Sequence, residues 1–335
     1  MTANLPTIGI VIIGINVEKY LSGCIQSIKE CDYPDDLLEI VYVDGGSTDN
    51  SSQIARTFEG LKVIELYDPH PTPGRGRNIG WKSLSTPVIQ FLDADTKMHP
   101  LWLKRALPQL SGDVAAVCGH RRELKPQKNL FHLFTDIEWG YGVGLCKYFG
   151  GDVLITREVL VKTRGYDNDL IAGEDPELSY RIRQMGLNIL RIDTPMTTHD
   201  INMSTVKAYL KRAYRSGYGY AEICLRFIMN KEKIWLRKIT GITGRLLLPY
   251  FFIILGFVTG YVWPGIILGL FSFFRPLCSL NKIRRNNNLT LKHSILYAIH
   301  YIVVDYPQFC GIIRYLLGQI ANIPLRNQGY REISG

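Results

Sequence analysis

Two carboxylates one residue apart, Asp93 and Asp95, follow the short apolar run Val88-Ile89-Gln90-Phe91-Leu92. Acids at i and i+2 past the end of a strand can point into one site, directly or through a bound ion. Such oxygen ligands suit hard divalent cations, Mg²⁺ or Mn²⁺, which in turn neutralise phosphates. The same pair also suits a solvated turn, because Asp is common in turns. A second acidic group, Glu174, Asp175 and Glu177, opens a stretch with helical spacing. Acids there complement the positive end of a helix dipole. A carboxylate so placed beside a cleft can also take a proton as a general base.

The elements that must position these acids follow from the hydrophobic pattern. Ile8–Ile15 is apolar on both alternating faces, as in a central parallel strand covered by helices on both sides. Asn16 ends it, and Val17–Cys31 places apolar residues at helical spacing. A second strand, Leu38–Val43, ends in Asp44-Gly45-Gly46-Ser47-Thr48-Asp49, a tight turn with helix-capping residues ahead of a helix over Ser51–Phe58. Leu61–Leu66 reads as a third strand, Tyr67–Gly76 as a loop rich in Pro and Gly, and Arg77–Leu84 as the start of a helix before the fourth strand, Val88–Leu92. Further on, the pattern predicts a helix over Leu101–Leu110 and a strand over Val114–Gly119. Pro126–Tyr148 reads as an irregular aromatic-rich stretch. A helix over Glu177–Met185, with Leu178, Ile182 and Met185 on one face, and a strand over Leu187–Ile192 follow. This order argues for an α/β fold with a mostly parallel central sheet. Ligands in such sheets sit at the carboxyl ends of the strands. Asn16, Asp44, the Pro/Gly loop and Asp93/Asp95 all lie at those ends, which lifts the acidic pair above the turn reading.

These residues, in this order, resemble the family 2 glycosyltransferases, nucleotide-sugar enzymes of the GT-A fold. The likeness runs over about residues 7–200. It rests on the first strand with Asn16 and Glu18, on Val43–Asp49, on Gly76-Arg77-Asn78-Ile79-Gly80, on Phe91–Asp95, on Gly150-Gly151, and on Gly173-Glu174-Asp175-Pro176-Glu177-Leu178. The resemblance implies that Asp44 meets the uracil of a UDP-sugar donor and that Arg77 lies near the nucleotide, with Asn16 and Glu18 as further pocket residues. It implies that Asp93 and Asp95 form the metal motif, mainly through the second acid, and that Asp175 is the catalytic base. His199 stands where some relatives add a metal or diphosphate contact; a core or capping histidine fits as well. Processive relatives carry Gln-x-x-Arg-Trp after the catalytic acid. Here Arg181-Ile182-Arg183-Gln184-Met185-Gly186 lacks the Trp, which resembles the enzymes that add one sugar.

The 335-residue chain has ordinary apolar and charged content, which excludes wholesale disorder, and a net charge of +9. The charge is uneven: Ser204–Asn288 holds fourteen Lys/Arg against two Asp/Glu. A basic block beside apolar segments points to an anionic membrane surface and away from nucleic acid. Seven scattered cysteines without metal spacing, after a short polar N-terminus, read as reduced and mostly buried thiols facing the cytosol.

Leu246–Phe274 runs twenty-nine residues without a charge. One helix of that length would be roughly 44 Å long, against a hydrocarbon core of about 30 Å. Gly260, Pro264 and Gly265 allow a turn mid-run, and basic residues flank both ends, so a hairpin suits the positive-inside rule. Ile295–Leu317 is interrupted by His300, Asp305, Pro307 and Arg314, and reads as interfacial or packed on that hairpin. The expected organisation is a catalytic domain over residues 1–203, a basic amphipathic segment over 204–245, and a membrane-associated helical region over 246–335. The expected protein is a membrane-bound, cytoplasm-facing inverting transferase of one sugar to a lipid or lipid-linked saccharide acceptor. Transfer to a polyprenyl phosphate, with Arg121, Arg122 and Lys125 as phosphate contacts, is the alternative of the same chemistry. A non-catalytic scaffold with this fold is the alternative of another class.

Overall fold

The computed structural model describes residues 5–140 and 142–323, so the end of the expected C-terminal region, residues 324–335, lies outside the described residues. The chain forms two compact units that part between Asn202 and Met203.

The first unit begins with β1 (Ile8–Gly14), α1 (Glu18–Lys29), β2 (Leu38–Asp44), α2 (Ser51–Arg56), β3 (Leu61–Glu65), α3 (Pro73–Lys82) and β4 (Val88–Asp93). It continues with β5 (Thr96–Met98), α4 (Trp102–Ala106), β6 (Val114–Glu123), α5 (Leu130–Glu138), β7 (Gly144–Leu145), β8 (Val153–Thr156), α6 (Arg157–Thr163), α7 (Glu174–Gln184) and β9 (Asn188–His199). One sheet runs in the order β3-β2-β1-β4-β8-β6-β9-β5, with β7 paired to β9. The four strands β3, β2, β1 and β4 are parallel. Beyond β4 the sheet is mixed: β8 is antiparallel to β4 and β6, β6 is parallel to β9, and β5 and β7 are antiparallel to β9. Local patterning gives strand existence but not direction, so the expectation of a mostly parallel sheet holds for the N-terminal half alone.

β1 is central because both of its faces are apolar: Ile8, Ile10, Val11 and Ile12 are fully buried. Its neighbours in register bring Gly14 beside Asp44 and Ile13 beside Asp93. The strand ends are thus aligned, and the polar residues that follow them share one edge. Beneath β4, the fully buried Trp102 of α4 donates its indole N–H to Gln90 Oε1 at 2.7 Å. This bond satisfies a polar side chain inside the core just ahead of Asp93.

Several elements differ from the local reading. The helix expected at Arg77 begins at Pro73, inside the Pro/Gly loop, because Thr72 caps it by accepting from Arg75 N–H at 3.2 Å and Pro suits its first turn. The stretch expected to be irregular holds α5, capped by Asn129, which accepts from the Phe131 and His132 N–H groups. α7 starts three residues early, at Glu174, after Gly173 in the left-handed region at φ 91°. Leu178 and Ile182 of α7 are buried, whereas Met185 is exposed. β9 continues to His199, seven residues past its expected end, because it pairs with both β5 and the bulged far half of β6. Of the seven free thiols, Cys278 and Cys310 are exposed and Cys146 is half-buried.

The second unit contains α8 (Val206–Arg226), α9 (Leu236–Thr259), α10 (Val262–Phe274), α11 (Leu280–Asn287) and α12 (Leu291–Ile320). The basic segment is not a separate body: α8 packs along α12, with Tyr209 Oη 2.9 Å from His300 Nδ1 and Tyr218 edge-on to Tyr315. α9 and α10 turn back on each other at Gly260, which is left-handed at φ 79°. They approach at Gly256 and Gly265, where a Cβ on Gly256 would lie 2.9 Å from Gly265 Cα. Leu236–Thr259 and Val262–Asn287 are long and apolar enough to cross a membrane, and only 17% and 11% of their most apolar stretches are buried. Trp102→Phe keeps an aromatic ring, but it leaves a small void and leaves Gln90 Oε1 unpaired in the core. It should lower stability by about 1–3 kcal/mol in equilibrium unfolding; an unchanged midpoint would show that the indole bond contributes nothing.

Candidate active site

Arg77 occupies the centre of the carboxyl edge. The first turn of α3 carries it inward, and it is 2% exposed. A guanidinium that deep needs acids around it. Its Nη2 donates to Asp93 Oδ1 at 2.8 Å, its Nη1 donates to Glu174 Oε1 at 2.8 Å, and Nη1 lies 3.6 Å from Asp175 Oδ1. The Tyr166 ring covers the guanidinium, with the carbon 5.3 Å from the ring centroid. α3, β4 and α7 are therefore locked together by one side chain.

Arg121 repeats the arrangement on the other side of Asp93. Its Nη2 donates to Asp93 Oδ2 at 3.2 Å, its Nη1 lies 3.7 Å from Asp152 Oδ2, and the Trp139 ring covers it at 4.9 Å. Asp152 is fully buried: Oδ1 accepts from Asp93 N–H at 3.1 Å and Oδ2 from Thr197 Oγ at 2.6 Å. Acids and guanidiniums thus alternate from Glu174 and Asp175 through Arg77, Asp93 and Arg121 to Asp152. Gly151, just before Asp152, lets this chain close. A Cβ on Gly151 would come within 2.5 Å of Asp93 Oδ2 and 2.8 Å of Arg77 Nη2.

The electrostatics follow from the two guanidiniums. Burial pushes the Asp93 carboxyl up, but Arg77 and Arg121 more than offset it and hold it below its ordinary value. Asp175 is half-buried, with its side chain 15% exposed and Oδ1 shielded from solvent. Its burial raises the carboxyl well above the ordinary range, and Arg77 opposes this without cancelling it. Asp175 Oδ1 has no hydrogen-bond partner. Burial likewise raises Asp152, with Arg121 opposing.

Asp95 and His199 form a second group. Asp95 lies in the turn just before β5 and His199 ends β9, two strands that pair at Thr96 and His199, and Asp95 Oδ2 lies 2.9 Å from His199 Nε2. The Trp139 ring lies edge-on to the imidazole at 5.1 Å. A carboxylate oxygen and an imidazole nitrogen side by side fit a divalent cation. Both oxygens of Asp93, by contrast, are taken by guanidiniums.

The remaining expected residues shape the rim. Asp44 is 2% exposed, and it accepts from Tyr42 Oη and Ser47 Oγ on one oxygen and from the Gly46 and Ser47 N–H groups on the other. Asn16, in the left-handed region at φ 54°, accepts from Thr48 N–H at 2.8 Å. Glu18 accepts from Asn50 N–H and Nδ2, each at 3.1 Å. Both residues therefore tie the end of β1 to the loop after β2. Glu177 turns away and is held bidentate by Arg181. Arg122 and Lys125, expected as phosphate contacts with Arg121, pair instead with Asp136 and Asp200. Asp152 belongs to the centre although the sequence reading gave it no role, while Glu174 was expected only as one of the acids opening a helix and Arg121 only as an alternative phosphate contact; the Gly-Gly-Asp run was the available signal for Asp152.

Residues 9–166 match the family model described as "Glycosyl transferase family 2". The curated relatives are glycosyltransferases at low identity. The chain is 23% identical over 260 residues to the glycosyltransferase AglE of Haloferax volcanii, covering 75% of this chain and 83% of that one. It is 25% identical over 273 residues to the probable glycosyltransferase YdaM of Bacillus subtilis, covering 76% of this chain and 64% of that one. Among solved structures it is similar to the mannosyltransferase PcManGT of Pyrobaculum calidifontis, determined with GDP-Man and Mn²⁺. The TM-score is 0.63 at 15% identity, over 94% of this chain and 88% of that one. With the mixed sheet, the acid-rich strand ends and these likenesses, the fold is that of the GT-A glycosyltransferases. Residues 9–166 thus form a glycosyl transferase family 2 domain, and the chain is a glycosyltransferase.

Arg77→Met should destabilise the first unit by about 3–5 kcal/mol, because it leaves the buried Glu174 without its cation and Asp93 with Arg121 alone. Arg77→Lys should recover part of this at most, since one ammonium cannot span two acids as a planar fork does. Thermal unfolding of both variants checks the order; a stable Arg77→Met protein would contradict it.

Proposed function

We propose that the protein transfers a single sugar, with inversion, from a UDP-sugar to a hydroxyl of a lipid or lipid-linked saccharide acceptor in polysaccharide or glycolipid assembly. The observation that carries this reading is Asp175: a half-buried carboxyl with one shielded oxygen free of hydrogen bonds, on the first turn of a helix at the strand-end edge. In the proposed reaction the acceptor O–H gives its proton to Asp175. The acceptor oxygen bonds to the anomeric carbon as the bond to the leaving diphosphate breaks. One base and no covalent intermediate make this a single displacement, which inverts the anomeric centre.

Asp95 and His199 are the residues that would hold a divalent cation, Mg²⁺ or Mn²⁺. Such an ion neutralises charge on a leaving diphosphate. The Mn²⁺ and GDP-Man named for the Pyrobaculum structure support an ion and a nucleotide-sugar in this fold; the uridine base rests on the resemblance at Asp44. Transfer of one sugar rests on the missing Trp after α7. A lipid-borne acceptor rests on the second unit. Phe251, Ile254, Phe257, Val258, Trp263, Ile267 and Phe271 are all more than half exposed, an apolar surface that water would not leave uncovered. Insertion of α9 and α10 in a membrane covers it, and basic residues at both ends of the hairpin favour a cytoplasmic catalytic unit.

Asp175→Asn should lower transfer by about 10²–10⁴-fold while calorimetry still detects donor binding; near-full activity would remove Asp175 from the role of base. A base works ionised, and Asp175 is held high by burial. The wild-type kcat/KM should therefore fall on acidification through a midpoint above the ordinary carboxylate value of about 4. A midpoint at or below that value would count against the assignment. Asp95→Asn should raise the Mn²⁺ concentration needed for half-maximal transfer; an unchanged metal titration would place the ion elsewhere.

A further inference from the structure

The second unit contains a cavity of about 870 Å³, within the range of ligand sites. It lies among α9, α10, the turn after α10, α11 and α12. Its polar wall includes Arg245, Arg275, Ser272 and Ser279, and its apolar wall includes Leu248 and Phe271. The lining contains two guanidiniums and no acid. Arg245 is fixed from behind by the buried Asp305, which it meets with two bonds at 2.5 and 2.8 Å. Arg275 has no acidic partner among the described residues, so the lining keeps a net positive charge. Gly244 keeps the α9 side open, because a Cβ built there would meet only Leu248 Cδ1, at 3.9 Å. The apolar wall does not close the cavity off: Leu248 and Phe271 are 41% and 62% exposed, continuous with the uncovered apolar flank of the hairpin.

A ligand for this cavity therefore needs an anionic head that accepts several hydrogen bonds and a body that tolerates an apolar wall. We propose that it is a binding site for the phosphate headgroup of a lipid, whose chain leaves along Leu248 and Phe271. Guanidiniums and hydroxyls match phosphate oxygens, and a planar guanidinium can present two donors at once. The open apolar side explains a lipid better than a free anion, which would gain nothing from Phe271. The inference rests on the membrane reading above and deepens it. The expected Arg121, Arg122 and Lys125 are engaged with acids of the first unit, whereas here a cation without an acidic partner faces a cavity.

The test is lipid binding by native mass spectrometry on the full chain in detergent. The probes are undecaprenyl phosphate, dioleoyl phosphatidylglycerol, dioleoylglycerol and inorganic phosphate. The two phosphate lipids should bind, and dioleoylglycerol should not. Arg275→Gln, at an exposed position, should weaken binding by about tenfold or more, the effect of losing one charged hydrogen-bond donor. Gly244→Phe should block the cavity and abolish binding. Preference for undecaprenyl phosphate would make the site one for a polyprenyl carrier, and equal binding one for phospholipid; both support a lipid-phosphate site. Equal retention of dioleoylglycerol, competition by inorganic phosphate alone, or unchanged binding in both variants would overturn it. Carbonate extraction of the wild-type protein from membranes separates the two levels. Release into the soluble fraction would defeat the membrane reading, whereas retention with no phosphate-lipid binding would defeat this site alone.

Discussion

The buried guanidinium of Arg77 is the constraint on which the catalytic unit depends. Its two ends reach Asp93 on β4 and Glu174 on α7, elements more than eighty residues apart in the chain. A charge this deep is tolerated only because acids and an aromatic face surround it. The acids in turn would repel one another without it. Helix α3, strand β4 and helix α7 are therefore fixed by mutual need, and the carboxyl edge of the sheet becomes a defined surface.

This arrangement divides the acids by role. Asp93, gripped by two guanidiniums, stays ionised and serves as a strut. Asp175 lies 3.6 Å from the same Arg77, but keeps one oxygen without a hydrogen bond. Similar carboxyls in one site thus reach opposite protonation tendencies through the partners that burial gives them. Asp95, two residues beyond the strut, faces His199 instead and leaves the arginine network altogether.

The two units solve different problems. The first closes its core around β1 and leaves polar residues at the strand ends. The second packs α8 on α12 and α9 on α10, yet leaves much of the hairpin's apolar surface exposed. Gly256 and Gly265 let the two helices approach backbone to backbone, a contact that small residues also make between helices in lipid. The cavity beside Arg245 and Arg275 arises because glycines and small hydroxyl residues leave space where bulkier side chains would fill it.

Much of this was legible in the residues. The β-branched run at Ile8–Ile15 and the turn at Asp44–Asp49 gave the first strands, and the acidic runs gave two of the site's poles. A sequence period reports which face of a strand or helix is apolar, so element type and the uncharged hairpin could be read directly. Strand direction beyond β4, the early start of α3 at Pro73 and the helix α5 could not be read, because capping and tertiary pairing decide them. The partners of the acids were equally hidden. Nothing in the order of residues says that Arg77 joins Asp93 to Glu174, that Arg121 sits between Asp93 and Asp152, or that His199 stands against Asp95. Sequence alone determined which side chains stand at the carboxyl edge, because alternation and turn chemistry are local. Tertiary structure decided which of them is an ionised strut and which keeps an oxygen without a hydrogen bond, because that depends on burial and on charges brought together from distant parts of the chain.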